Sequence, residues 1–330
     1  MNRLLATIAF CLLPGLAGAE CRGRNIFQAL PAAQQQTIRA ATDAAPFAQG
    51  LLWQATRGDD RITLLGTYHF ADPRHDAIMD RIAPMIAQAS TLLVEAGPAE
   101  EAALMADLAR KPKLMVNQTG PTLPESLSPE EWAQLSTAMQ ARGMPGFMVA
   151  KLRPWYVTMM LALPPCAVAD QAALTEDGLG QRVIAVATKA AIPIRALEPH
   201  DTVFGLFDSM SPEDQLGMIR STLAVEPQAE DFSATLADSY FAQDARLIWE
   251  LSRHMALQTP GYTAEQANRD FALFEEALMT KRNRAWIAVL EQAAAEGPAF
   301  AAFGALHLSG ETGVLALLQA KGFALERLAL

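Results

Sequence analysis

"PAFAAFGALHLSGETGVLALLQAKGFALERLAL" runs from Pro298 to Leu330. It opens on an apolar run with no charge, the pattern of a strand covered on both faces. Gly304 ends that run, and His307 follows three residues later. "ETGVLALLQAKG" then carries apolar residues at helical spacing, with Gly322 at its end. "FALERLAL" returns to a strand pattern. Strand, Gly-x-x-His, helix, strand is therefore the reading of the last 33 residues.

The same order occurs near the other end. "RITLLGTYHF" brings Gly66 and His69 to the end of an apolar strand. "DPRHDAIMDRIAPMIAQA" reads as a helix that Pro84 is expected to kink or divide, and "TLLVEAGP" as the strand after it. Only five His are present in 330 residues, and two of them occupy this repeated context.

Working outward, "LLWQAT" and "RITLLG" flank "RGDD" as a hairpin. Ser128, Pro129, Glu131 and Gly143 supply a capping box, a first-turn Pro and a C-terminal Gly to one helix. "GFMVAKLRPWYVTMMLAL" predicts a buried helix pair around Pro154. "IPIRALEPH" predicts a short strand, and Asp231 to Glu296 a long helical insertion. Strands alternating with helices predict an α/β fold with a mixed, largely buried central sheet flanked by helices. The two strand–Gly-x-x-His–helix–strand elements lie within that sheet. One domain is expected over residues 20–330.

Sites in such sheets are built at the carboxyl ends of strands. Gly66 and Gly304 permit a sharp turn or a close approach there. His69 and His307 are then aimed over the same edge if their strands are neighbours. Glu95 ends "TLLVE" and Glu198 ends "IRALE", and a carboxylate closing an apolar strand is costly to bury alone. Two imidazoles with one or two carboxylates suit a divalent ion such as Zn, Mn, Fe or Co. His69, His307, Glu95 and Glu198 are thus candidate metal ligands. Glu95 is a third ligand or the general base acting on a metal-bound water. Arg282, in "MTKRNRAW", is a candidate for holding a substrate carboxylate, with Asn283 beside it; Arg153, in "KLRPW", is another. His75, His200 and His254 are assigned supporting or surface roles.

Composition narrows the class. The formal charge is −10, which disfavours nucleic acid as a partner. "MNRLLATIAFCLLPGLAGAE" reads as a secretory signal, residues 1–19, cut after Ala19. It is too short for a comfortable span, and no stable span is expected in the mature chain. Cys11 leaves with the signal, so Cys21 and Cys166 are expected to form a disulfide in an oxidising compartment. No Gly-x-Ser-x-Gly elbow, phosphate loop or His-Glu-x-x-His helix occurs.

On "LLGTYHF", "LLVEAGP", "RALEP", "TKRNRAW" and "FGALHLSGETGVLALLQAKGF", in that order, the chain resembles the TraB/PrgY/GumN family, whose animal branch is the Tiki proteins. The resemblance covers residues 48 to 329. It implies a fold related to the erythromycin-esterase-like and ChaN-like proteins. It also implies an active site of the two Gly-x-x-His motifs and a Glu, here His69, His307 and Glu95. The Tiki branch implies a metal-dependent protease. The expectation is a periplasmic or secreted metal-dependent hydrolase, a peptidase first, acting on a peptide or other small polar substrate. The alternative is a binding protein that sequesters a peptide, a polysaccharide or haem without turnover.

Overall fold

The computed structural model describes residues 23–169, 178–258 and 263–330. Residues 1–22 lie outside these, and with them the expected signal segment and Cys21. Six strands form one sheet: β1 Leu52–Arg57, β2 Asp60–Thr67, β3 Thr91–Val94, β4 Ile194–Ala196, β5 Ala299–Gly304 and β6 Ala324–Arg327. Their spatial order is β4-β3-β5-β2-β1-β6. β2, β5, β3 and β4 are parallel neighbours. β1 runs antiparallel to both β2 and β6. The sheet is mixed, as the alternating elements predict, and the hairpin turns through Gly58 at φ 61°.

Period-2 alternation sorts the strand side chains onto two faces. Leu65, Leu92, Phe300 and Ala302 pack with Ile78 and Ile82 of helix His75–Ala87 and with Val183 of helix Leu179–Lys189. Leu64, Leu93, Ala301 and Phe303 pack on the other side. Their partners are Trp286 and Leu290 of helix Lys281–Glu296, and Leu315 and Leu318 of helix Val314–Ala320. Every residue of β5 up to Phe303 is buried, because the strand sits mid-sheet with helices on both sides.

A third core lies among helices alone. Leu135, Met139, Val157 and Leu161 meet Leu216, Ile219 and Leu223 there. The capping box at Ser128 is formed, with Glu131 N–H donating to Ser128 Oγ and Ser128 N–H to Glu131. Helices run from Thr202 onward, and Ser211 caps the one from Pro212 to Val225, accepting from Asp214 N–H. Pro84 does not divide its helix, which is continuous from His75 to Ala87. Only three residues follow Pro84, so the ring falls in the last turn and little helix lies beyond it to be divided off.

The two repeated elements place their helices on opposite faces. After β2 the chain crosses over β5 and re-enters as β3, parallel to both. After β5 it passes to the far edge and pairs as β6 against β1. Both elements nonetheless start side by side, with Gly66 opposite Phe303 and Thr67 opposite Gly304.

Candidate active site

Because β2 and β5 are parallel neighbours, both Gly-x-x-His turns leave the sheet at one edge. β3 lies on the other side of β5, and Glu95 follows its last residue. Gly304 N–H donates to Glu95 Oε1 at 2.6 Å. A methyl group built on Gly304 would stand 3.2 Å from Glu95 Oε1, 3.6 Å from His307 Cδ2 and 3.7 Å from His69 Nε2. The three side chains thus surround a single glycine, and its bare Cα leaves room for them. Gly66 does a different task. A methyl group there would meet Leu308 Cδ1 at 2.8 Å and Ala305 Cα at 2.9 Å, so it lets the turn after β5 press onto β2. The Tyr240 hydroxyl donates to the Gly66 carbonyl at 2.9 Å and fixes the same strand end.

His307 ends a short 3₁₀ turn, Ala305–His307, and is 6% exposed. Asn283 Nδ2 donates to the Thr312 carbonyl at 2.8 Å, which turns Asn283 Oδ1 toward the ring. Oδ1 lies 2.6 Å from His307 Nδ1, so Nδ1 carries the proton and Nε2 a lone pair. Trp286 lies against the ring, centroids 4.5 Å apart. Burial, which disfavours charge, brings the His307 pKa down to about 4; Glu95 opposes this and Arg282 adds to it. The ring is neutral at pH 7.

Glu95 is ionised. Burial works against its charge, but His307, Arg282, the Gly304 N–H and His69 outweigh it and hold the carboxyl at about 2. Arg282 contributes through Nη2, 2.6 Å from Glu95 Oε2 and 2.7 Å from Glu198 Oε1. Its Nε lies 2.9 and 3.1 Å from the two Glu198 oxygens. Its Nη1 donates to the Leu278 carbonyl at 3.1 Å and faces His307 Nε2 at 3.3 Å. Leu278 belongs to a π-helical turn, Glu276–Thr280, inserted just before the helix that carries Arg282; such turns recur at functional sites. Burial opposes the guanidinium charge, and the Glu198 and Glu95 contacts overcome it and raise its pKa further.

These contacts correct three expectations. All five guanidinium N–H groups of Arg282 have acceptors inside the protein, so none is left for a substrate carboxylate. Asn283 is 1% exposed with both amide atoms engaged, and it positions His307 instead of meeting substrate. Arg153 pairs with Asp208 at 2.6 Å, and its backbone N–H bonds the Met115 carbonyl, within the helical part of the molecule. His75 is buried beside Tyr68, Tyr240 and Phe241. His200 lies 3.4 Å from Asp107. The Cys21–Cys166 pairing falls partly outside the described residues; Cys166 lies in helix Pro165–Ala169.

The expected ion can be judged on the same geometry. Among the described residues no three His, Cys, Asp or Glu side chains are grouped closely enough to hold one. The donors of His69, His307 and Glu95 are of the right chemical kind, two imidazoles and an ionised carboxylate around one point, but Arg282 Nη1 faces His307 Nε2 and both Glu95 oxygens already accept hydrogen bonds, so an ion there would displace those contacts. Glu198 does not fit, because Arg282 takes both its oxygens and Trp286 Nε1 donates to Oε2 at 2.9 Å.

A cavity of about 650 Å³ opens on this centre, lined by Thr67, His69, Glu95, Glu101, Gln181 and Phe303 among others. A larger hollow of about 960 Å³ follows the outer edge of β4 and touches Glu198, but neither histidine lines it. His69 is exposed, and Gly178 packs directly on its carbonyl while Leu179 N–H donates to Tyr68 O at 3.0 Å. The sequence reading missed Trp286, Glu101 and Gln181. Trp286 was detectable, since it lies four residues after Arg282 on one helix face. Glu101 and Gln181 come from separate segments that only the fold brings together.

No helix among the described residues is long and apolar enough to cross a membrane. The sequence profile of the TraB/PrgY/gumN family matches residues 51–327. No curated protein matches the chain.

Proposed function

From the premise that the chain belongs to the TraB/PrgY/gumN family, we propose that it is a hydrolase of a peptide or similarly polar substrate. Its reacting centre is the space over Gly304. The observation that carries the proposal is the convergence of His69, Glu95 and His307 around Gly304, with His69 and Glu95 lining an open cavity. His69 is the member exposed to that cavity and meets the substrate. His307 is buried, its ring fixed by Asn283 at Nδ1, with Nε2 turned to Arg282 Nη1. Glu95 acts as a fixed negative charge and not as the proton acceptor, since a carboxyl held near 2 is a weak base. Arg282 holds Glu95 and Glu198 in place.

A divalent ion belongs to this proposal. His69, His307 and Glu95 would hold it, and when bound it supplies the Lewis acidity that activates water near neutral pH. Export and a Cys21–Cys166 disulfide are proposed with it, on the N-terminal stretch and the cysteine count. Thiol counting on unreduced, denatured protein should give zero in the mature chain, and two free thiols would refute the pairing. The loop is long enough for the bond to add about 4–5 kcal/mol in the chain-entropy model.

The decisive experiment combines elemental analysis with digestion of a peptide library in added Mn, Co or Zn. Wild type should hold about one ion and cleave. Glu95→Gln and His307→Ala should lose both properties. A wild-type chain that holds no ion and cleaves nothing under any of the three metals would end the proposal.

A further inference from the structure

The sequence reading expected an arginine to receive an anionic group of the substrate. The structure assigns the cavity the opposite preference. Among the described residues no Lys or Arg lines it. Arg282 is fully bonded to Glu95, Glu198, Leu278 and His307. Arg182, next to the lining residue Gln181, pairs with Asp76 at 2.6 Å. Arg153 pairs with Asp208.

The carboxylates are differently placed. Glu95 lines the cavity beside His69. Glu101 adds a second carboxylate at the cavity wall. Its Oε1 accepts from the uncharged amide of Gln181 at 2.7 Å, and among the described residues its Oε2 has no partner. Gln181 belongs to helix Leu179–Lys189 and Glu101 to helix Pro98–Arg110, so this bond fixes the carboxylate across the wall of the cavity that contains His69.

We propose that Glu101, held by Gln181, is a specificity-determining residue that selects substrates bearing a positively charged group, an amine or a guanidine, beside the reacting centre. A cavity of about 650 Å³ suits such a side chain together with the backbone that carries it. The inference rests on the hydrolase reading for the position of the reacting centre, but its test uses binding and needs no turnover.

The probes are N-acetyl-arginine amide and N-acetyl-citrulline amide, which share a shape and differ in charge, together with N-acetyl-glutamate amide. Their affinities for the full mature chain are measured by titration calorimetry, with and without added Mn. Wild type should prefer arginine over citrulline by about fivefold, the scale of a partly exposed ion pair, and glutamate should bind weakest. Glu101→Gln should bring the arginine-to-citrulline ratio to about one, and Glu101→Asp should restore part of it. Glu130→Gln removes an equal charge from an exposed position on helix Pro129–Ala141 and should leave the ratio unchanged. The preference should weaken in high salt.

Equal affinity for arginine and citrulline in the wild type overturns the proposal. So does a ratio that survives Glu101→Gln, or one that falls equally in Glu130→Gln, which would reveal only the general field of an acidic protein. Loss of the preference when Mn is added, with citrulline affinity unchanged, would mean that the ion and not Glu101 controls the charge, and would also overturn it. A chain that shows the expected binding but cleaves no peptide would leave this inference standing and remove the hydrolase reading.

Discussion

The two Gly-x-x-His turns are written alike, lie one register step apart on neighbouring strands, and do different work. In the β2 copy the glycine is a packing device: its bare Cα admits the backbone of Ala305 and the side chain of Leu308. Its histidine stands exposed at the cavity. In the β5 copy the glycine makes room for reacting groups, and its histidine is 6% exposed, anchored by Asn283 and covered by Trp286. Two equal motifs thus supply one exposed contact and one buried, anchored contact. The difference comes from what packs over each turn: helix Lys281–Glu296 lies over His307, whereas Gly178, the N-cap of helix Leu179–Lys189, packs on the His69 backbone and leaves its ring exposed.

Acid should separate the two most strongly. His307 has an ordinary pKa near 6.5 and a folded value of about 4. The unfolded chain therefore binds a proton that the native chain refuses between those values, and stability should fall as pH drops from 6.5 toward 4. A shift of that size corresponds to about 3 kcal/mol. Glu95, ordinarily at 4.5 and held at about 2, adds a second loss across that lower window. Urea midpoints at pH 7, 5.5 and 4 check this. His307→Asn should lack the upper step, and a wild-type midpoint that is flat from pH 7 to 4 would contradict the neutral, buried ring.

Next come the glycines. Gly66→Ala should cost about 2–3 kcal/mol, because the methyl group meets backbone at under 3 Å. Gly304→Ala should cost less than about 1 kcal/mol, since it meets side-chain atoms at 3.2 Å and beyond, yet should abolish turnover and metal binding. Equal stability losses in the two variants would erase the distinction drawn between them.

The smallest expected effect is His69→Ala, within about 0.5 kcal/mol of wild type because the ring is exposed. His307→Ala should cost about 2 kcal/mol, leaving a void against Trp286 and an unpaired Asn283 oxygen. Both should be inactive. A His69→Ala enzyme with full turnover would remove the exposed histidine from the site.

Much of this was legible in the chain itself. An uncharged run as short as "PAFAAF", bounded by Pro298 and Gly304, reads as a strand buried on both faces, and period-2 alternation divides Leu64 from Leu65 without reference to any neighbour. Ser128 and Glu131 specify a helix start through bonds three residues apart. Such signals are local, so sequence suffices to read them. The same holds for Glu95 and Glu198, carboxylates closing apolar strands, whose burial cost marks them as partnered. What the partners are is a matter of distance between segments. Arg282 reads in sequence as a free cation in a basic cluster, and only the fold brings it to Glu95, 187 residues away, and to Glu198, 84 away. The sequence by itself determined which groups would need a counter-charge. The tertiary structure decided that a guanidinium supplies it, because charge pairing depends on position in space and the chain records only position along itself.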